Sequence, residues 1–288
     1  FCSVNPKIGM EFKVDQMIAP VERKKKVAVV GGGPAGMKCA ITCAQRGHAV
    51  TLYEKSSQLG GQLFHADYAS FKWPLADFNH WLIRQVYRAG IQVCLNTEAT
   101  KEFLAPEGYD DVVVAIGPKF KSPRLPIAPG TNTMLCVDVY GHEAELPHEI
   151  VVIGGSETGT ETGMYLAENG HHVTVMTRQA MLAQDAPHAH FVVMMMDAYE
   201  HLKGFDYARN IQKYVSVTSE GVTYVDEHGQ EQFVPADLVV LSGGVAAIPE
   251  QCAAFYGAGD HIHYIGDCYR PGDVHKAVTA GFATGSQI

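Results

Sequence analysis

The sequence is short of positive charge. Its 22 lysines and arginines stand against 31 aspartates and glutamates, leaving a net charge of −9. That balance argues against a sequence-independent grip on nucleic-acid phosphates. The one dense basic run, ERKKK at 22–26, reads as a solvated approach to a strand. No apolar run nears the roughly 18 residues of a membrane span, and no charged-then-apolar leader precedes the fold. The expectation is therefore a cytoplasmic protein with neither membrane nor nucleic acid as partner. Cysteine is sparse and odd in number, seven residues at positions 2, 39, 43, 94, 136, 252 and 268. Reduced thiols suit that scatter better than a disulfide framework. There is no Cys-x-x-Cys, so the chemistry of a redox dithiol is disfavoured. Cys39 and Cys43 lie four apart in a helical stretch and read as buried small hydrophobes. Signatures of Ser–His–acid or metal-dependent hydrolases are also missing.

What is present is glycine, 29 residues, and 47% hydrophobic residues in a chain of 288. That length buries a large core and favours two α/β domains over one. Two segments resemble each other, KVAVVGGGPAGMKCAITCAQRGHAVTLYEK at 26–55 and EIVVIGGSETGTETGMYLAENGHHVTVMTR at 149–178. Each has a β-branched run, a glycine turn, an amphipathic stretch closed by Gly47 or Gly170, and a second β run. Each predicts a βαβ unit. The turns begin at Gly31 and Gly154, 123 residues apart. That spacing is far too long for a solenoid repeat and suggests two Rossmann-like dinucleotide-binding domains.

The first turn carries Gly31, Gly33 and Gly36 as G-x-G-x-x-G directly after a strand. The first glycine permits the tight turn, the second lets backbone approach a pyrophosphate, and the third lets helix pack on strand. Glu54, eighteen residues past Gly36, ends the second strand, where a carboxylate can bind ribose hydroxyls. In the second turn Gly154 and Gly159 keep the outer positions, but Ser156 replaces the middle glycine, which weakens binding without excluding it. Thr177 stands where Glu54 stood, with Arg178 beside it. A hydroxyl and a guanidinium attract the 2′-phosphate that a carboxylate would repel, so NADPH is expected over NADH.

A family resemblance rests on the order VAVVGGGPAG, LYEKSSQLGGQL (52–63), DDVVVAIGPKFKSPRLP (110–126), the second βαβ unit, and IHYIGDCYRPGDVHKAVTAGFATG (262–285). It resembles the two-dinucleotide-domain flavoprotein reductases. Within that superfamily the head CSVNPKIG resembles the C-terminal half of the iron–sulfur flavoenzymes, which include 2,4-dienoyl-CoA reductase, enoate reductase and trimethylamine dehydrogenase. The resemblance implies an FAD pyrophosphate at Gly31, Gly33 and Gly36, its adenosine ribose at Glu54, with Lys55 also cofactor-binding, and the rest of the cofactor near Gly61 and Gln62. Gly266 and Asp267 match the Gly-Asp pair that binds the ribityl or phosphate portion. The runs VVVAIG, ending at Gly117, and LVVLSGG at 238–244 resemble return strands. Cys2, just ahead of an Asn-Pro, matches the last ligand of a 4Fe-4S cluster, whose other three thiolates would lie upstream together with an FMN-binding barrel.

On this reading residues 1–26 are a linker, 27–126 and 257–288 form the FAD domain, and 127–256 form an inserted NAD(P)H domain. The chain, lacking an initiator methionine, is expected to be a fragment or separate half that passes electrons from NADPH through FAD to a partner barrel. No general acid is expected within it. Two rival readings are a stand-alone NAD(P)H:acceptor oxidoreductase and a non-catalytic module holding ADP. The pairs HAH at 188–190 and HIH at 261–263 have no third ligand nearby in sequence and read as solvent-facing or core-packing residues rather than metal ligands. VVMMM at 192–196 reads as core filler or a barrel contact. The stretch 71–90 predicts a helix ending at Gly90, with Trp81 packing rather than stacking on flavin.

Overall fold

The computed structural model describes residues 2–184, 186 and 189–288, without the side chains of 189–194. His188 and the side chain of His190 lie outside the described residues, as do the side chains of the first three residues of the VVMMM run.

The chain divides into two compact units. One comprises 1–67, 71–119 and 245–288, the other 68–70 and 120–244, so the second is inserted in the first.

The first unit is built on a five-stranded parallel sheet. Its spatial order is His261–Tyr264, Asp111–Val114, Lys26–Val30, Ala49–Tyr53 and Gln92–Cys94. The central strand is apolar on both faces because both are covered. Val27 and Val29 pack with Met37 and Leu52, whereas Ala28 and Val30 pack with Val112, Val114 and Phe255. The helices Pro34–Gln45 and Val274–Gln287 lie against each other at Gly281, where a Cβ would overlap the Ala35 carbonyl oxygen. The helix Trp73–Arg88 ends before Gly90 as the spacing predicts, and half-exposed Trp81 stacks on Phe78 at 6.0 Å between ring centroids.

The second unit repeats the plan. Its parallel sheet runs Thr133–Leu135, Leu238–Leu241, Glu149–Ile153, His172–Met176 and Phe205–Ala208. The helix Glu157–Glu168 connects the third and fourth of these strands in space. A three-stranded antiparallel sheet, Lys213–Thr218, Gly221–Val225 and Glu231–Pro235, was not anticipated. Tyr214, Val217 and Val222 from it complete a core with Val151 and Leu241.

The crossings between units fall at 119–120 and 244–245, earlier than the expected 126–127 and 256–257. Core membership explains both shifts. Leu125 packs against the core of the second unit, while Ile248, Cys252 and Phe255 belong to the core of the first.

Candidate dinucleotide sites

In the first unit the strand Lys26–Val30 delivers the chain into the glycine turn at the carboxyl edge of the sheet. Gly31 has φ +107°, its N–H donates to the Tyr53 carbonyl at 2.8 Å, and a Cβ there would overlap the Ala115 carbonyl oxygen. The return strand thus presses on the turn. A Cβ on Gly36 would overlap the Gly31 carbonyl oxygen, so this glycine sets the close approach of the helix Pro34–Gln45. Gly33 differs from both. The nearest atom to a Cβ built there is Gly61 Cα, 3.9 Å away, so this face of the turn is open to an anion at the helix N-terminus.

Tertiary structure brings two distant pieces to that face. Gly61 approaches so closely that a Cβ on it would lie 2.8 Å from Gly33 Cα, and a Cβ on Gly266 would lie 3.0 Å from the Ala35 methyl. Asp267 follows directly. Its carboxylate accepts from Gly272 N–H at 3.0 Å, and burial pushes its pKa up, partly offset by that hydrogen bond. The helix Val274–Gln287 starts just beyond, capped by Asp273, which accepts from Lys276 N–H.

Glu54 is buried, and both of its oxygens already hold the loop. Oε2 accepts from Gly32 N–H at 2.7 Å, and Oε1 accepts from Ser56 N–H at 2.8 Å and Ser56 Oγ at 2.6 Å. Oε2, with one donor, keeps lone-pair capacity for a ribose hydroxyl, whereas Oε1 already accepts two hydrogen bonds. Lys55 and Gln62 are exposed at the rim. Gly117 (φ +77°) ends the return segment, and a Cβ there would meet nothing within 4 Å. These features fit FAD: an open glycine backbone for its pyrophosphate, a carboxylate for its ribose, and Asp267 beside the helix start.

The second unit reproduces this turn with one change. Gly154 has φ +120° and its N–H donates to the Met176 carbonyl at 2.9 Å, while a Cβ on Gly159 would overlap the Gly154 carbonyl oxygen. Ser156 occupies the helix N-cap without capping it through its side chain. Thr177 is buried and its Oγ1 accepts from Gln179 N–H at 3.1 Å. Arg178 lays its guanidinium over the Tyr214 ring at 5.5 Å, a placement that needed the unforeseen antiparallel sheet.

Three residues of interest escaped the sequence reading. Glu161 is a buried carboxylate in the first turns of the helix Glu157–Glu168. His275 Nδ1 lies 2.9 Å from the Cys2 carbonyl and, as the donor tautomer, ties the chain head to a helix 273 residues away. Asn79 is buried beneath Gly60. An acid eighteen residues past a glycine turn can be found by counting, but no such count leads to Glu161 or His275, and Asn79 shows only as a polar break in a helical stripe. In the HIH run His261 is exposed, and part-buried His263 has a partner in Asp111 Oδ1 at 2.7 Å. Cys39, Cys43, Cys136, Cys252 and Cys268 are buried and free. Among the described residues no group of three His, Cys, Asp or Glu side chains could hold a metal ion, and no helix is long and apolar enough to cross a membrane.

Two dinucleotide-type units, one inserted in the other, define a two-nucleotide oxidoreductase. The chain matches the family model "Pyridine nucleotide-disulphide oxidoreductase" over residues 25–281, and it belongs to that family. It is 37% identical to an NADH oxidase of Thermoanaerobacter brockii, over 100% of this chain and 44% of that protein. It is 30% identical to a bilirubin reductase of Mediterraneibacter gnavus, over 98% of this chain and 43% of that one. Among solved structures, a 2-naphthoyl-CoA reductase superposes with a TM-score of 0.93 at 30% identity, covering 100% of this chain and 43% of its own. Histamine dehydrogenase from Rhizobium sp. 4-9 shares the fold, at a TM-score of 0.82 and 18% identity. These matches bear out the resemblance to the FAD- and NAD-binding half of the iron–sulfur flavoenzymes. The chain is an NAD(P)H-dependent flavoprotein oxidoreductase by family, and it spans less than half the length of these relatives.

Proposed function

We propose that this chain is the electron-input half of a larger reductase of the enoate or 2,4-dienoyl-CoA type, with FAD in the first unit and NADP(H) in the second. The observation that carries the reading is the convergence of Gly33, Gly61 and the Gly266–Asp267 pair on the start of one helix. Bound there, FAD supplies the exchange between a two-electron nicotinamide donor and one-electron acceptors. The chain's own residues bind and orient. Gly33 and the helix N-terminus receive the pyrophosphate, Glu54 the ribose, and Asp267 the ribityl or phosphate portion. Ser156, Gly159 and the helix Glu157–Glu168 receive the nicotinamide dinucleotide, with Arg178 beside the position of a 2′-phosphate.

Cys2 is proposed as one thiolate of a 4Fe-4S cluster whose other three ligands, like the FMN barrel, belong to a preceding half. The His275–Cys2 hydrogen bond supports this, because it docks the Cys2 backbone on the first turn of the helix that follows Asp267.

The test is a stopped-flow comparison of flavin reduction with substrate turnover in the joined protein, wild type against Cys2→Ser. The expected result is intact reduction of flavin by NADPH with damaged cluster absorbance and lost turnover. A full cluster with normal turnover would remove Cys2 from the ligand set. Recovery of ADP in place of FAD on denaturation would sink the redox reading. For nucleotide choice, Arg178→Ala should raise KM for NADPH about tenfold and leave NADH nearly untouched, since only NADPH carries the 2′-phosphate. Equal losses would reassign Arg178.

A further inference from the structure

The helix Trp73–Arg88 turns Asn79, Leu82 and Val86 toward the core of the first unit. Spacing of three and then four residues makes this the buried stripe, where an apolar side chain is expected at each position. Asn79 breaks the pattern. It is 1% exposed, and neither Nδ2 nor Oδ1 has a hydrogen-bond partner among the described residues. A buried amide without partners is a standing cost to the fold, and leucine at that position would avoid it.

What the amide faces is the turn that lines the FAD site. A Cβ on Gly60 would lie 2.8 Å from Asn79 Nδ2 and 3.2 Å from Oδ1. With φ at +131°, Gly60 donates its N–H to the Gly32 carbonyl at 2.9 Å. The next residue, Gly61, is the one that closes on Gly33. The amide, Gly60, Gly61 and the pyrophosphate-facing Gly33 therefore form consecutive layers. The N–H groups of Gly61 and Gln62 open the helical turn Gly61–Asp67, and the first such groups of a helix have no partner within it.

We propose that Asn79 is a positioning residue for the flavin dinucleotide: its amide hydrogen-bonds the Gly60–Gly61 backbone when pyrophosphate occupies the Gly33 face. This rests on the FAD reading of the first unit. A dinucleotide drawn against Gly33 also presses on Gly61. Movement of that peptide toward Asn79 is what would give the amide its partners. The cost of the buried amide is then recovered in the bound state alone, and only such a difference between states can add to affinity.

The test pairs Asn79→Leu with wild type in two measurements, thermal unfolding of the cofactor-free chain and FAD titration followed by flavin fluorescence. The expected result is an equal or higher melting temperature together with an FAD dissociation constant raised about tenfold. Those opposite directions are not produced by a purely structural role. Unchanged FAD affinity in Asn79→Leu would overturn the proposal, as would a fall in melting temperature matched by the fall in affinity. If the leucine variant does not fold, Asn79→Ala is read by FAD titration alone, with a tenfold loss supporting the proposal and unchanged affinity overturning it. Failure of the wild-type chain to bind FAD would instead overturn the FAD reading itself, which keeps the two failures distinct.

Discussion

The two βαβ segments are the same device tuned for different ends. With the 123-residue offset, Gly31 pairs with Gly154, Gly36 with Gly159, Gly47 with Gly170 and His48 with His171. In both, the first glycine's N–H bonds a carbonyl at the end of the second strand, and the third glycine abuts the first. Most other aligned positions differ, and several of the differences change the charge or polarity of the turn, the second-strand end or the helix. Gly33 pairs with Ser156, Glu54 with Thr177, Lys55 with Arg178 and, inside the two helices, Lys38 with Glu161. Geometry is shared where the turn must close.

The largest effect is expected at Lys38. It is 8% exposed, and its ammonium lies 5.6 Å from the centre of the Phe282 ring, with Lys7 5.7 Å from the same centre. Burial first, and the Lys7 charge second, lower its pKa to about 8. The unfolded chain then holds the proton more tightly than the folded one. The cost is fully present below about 8, and stability rises with pH from there to the ordinary lysine value of about 10.4. Lys38→Met should raise stability at pH 7 by up to about 3 kcal/mol, at about 1.4 kcal/mol per pKa unit, and abolish that rise. Denaturant unfolding at pH 7 and pH 10 measures both. An unchanged pH slope would show that the ammonium finds an acceptor in solution.

Next in size is the contrast between Glu54 and Thr177. Glu54→Ala removes three hydrogen bonds to a carboxylate and should weaken FAD retention by about 1.5–3 kcal/mol, with a comparable loss of stability in the first unit. Thr177→Ala removes one neutral bond and should cost about 1 kcal/mol or less. Equilibrium dialysis of FAD together with calorimetry tests the ordering. Equal costs would show that the carboxylate has no special part in the first site.

A smaller effect than that of Glu54 is expected at the middle position. A Cβ on Gly33 would meet nothing closer than 3.9 Å, so Gly33→Ser should leave the melting temperature nearly unchanged while lowering FAD affinity about tenfold, or about 1.4 kcal/mol. Ser156→Gly should improve nicotinamide dinucleotide affinity by less than that. A large drop in melting temperature for Gly33→Ser would mean that this glycine serves packing rather than phosphate.

Much of this was legible because it is written in local periods. A β-branched run, a glycine turn and an amphipathic stretch each act over a few residues, so the strand, turn and helix of both segments could be located by spacing. The Trp73–Arg88 helix was located by the same means. Glu54 could be counted to, but its engagement by Gly32 and Ser56 could not. The antiparallel strands between Lys213 and Pro235 were missed because their burial patterns are irregular, half-buried on one strand and exposed on another. The unit boundaries slipped because a boundary is a property of which core a residue joins, and Ile248 and Leu125 reveal that only once packed.

The amino-acid sequence by itself determined two glycine-turn βαβ segments, their order, and the difference in charge at their second-strand ends, since backbone sterics and hydrophobic period act between near neighbours. Tertiary structure decided what stands around them. Gly61 and Gly266 close on the first turn, His275 meets Cys2 across 273 residues, Arg178 lies on Tyr214, and Asn79 is buried without a partner. Such contacts form when elements distant in sequence bury shared apolar surface, a force proportional to area and blind to sequence distance. The polar groups carried along must then find partners, or remain without them, wherever the packing leaves them.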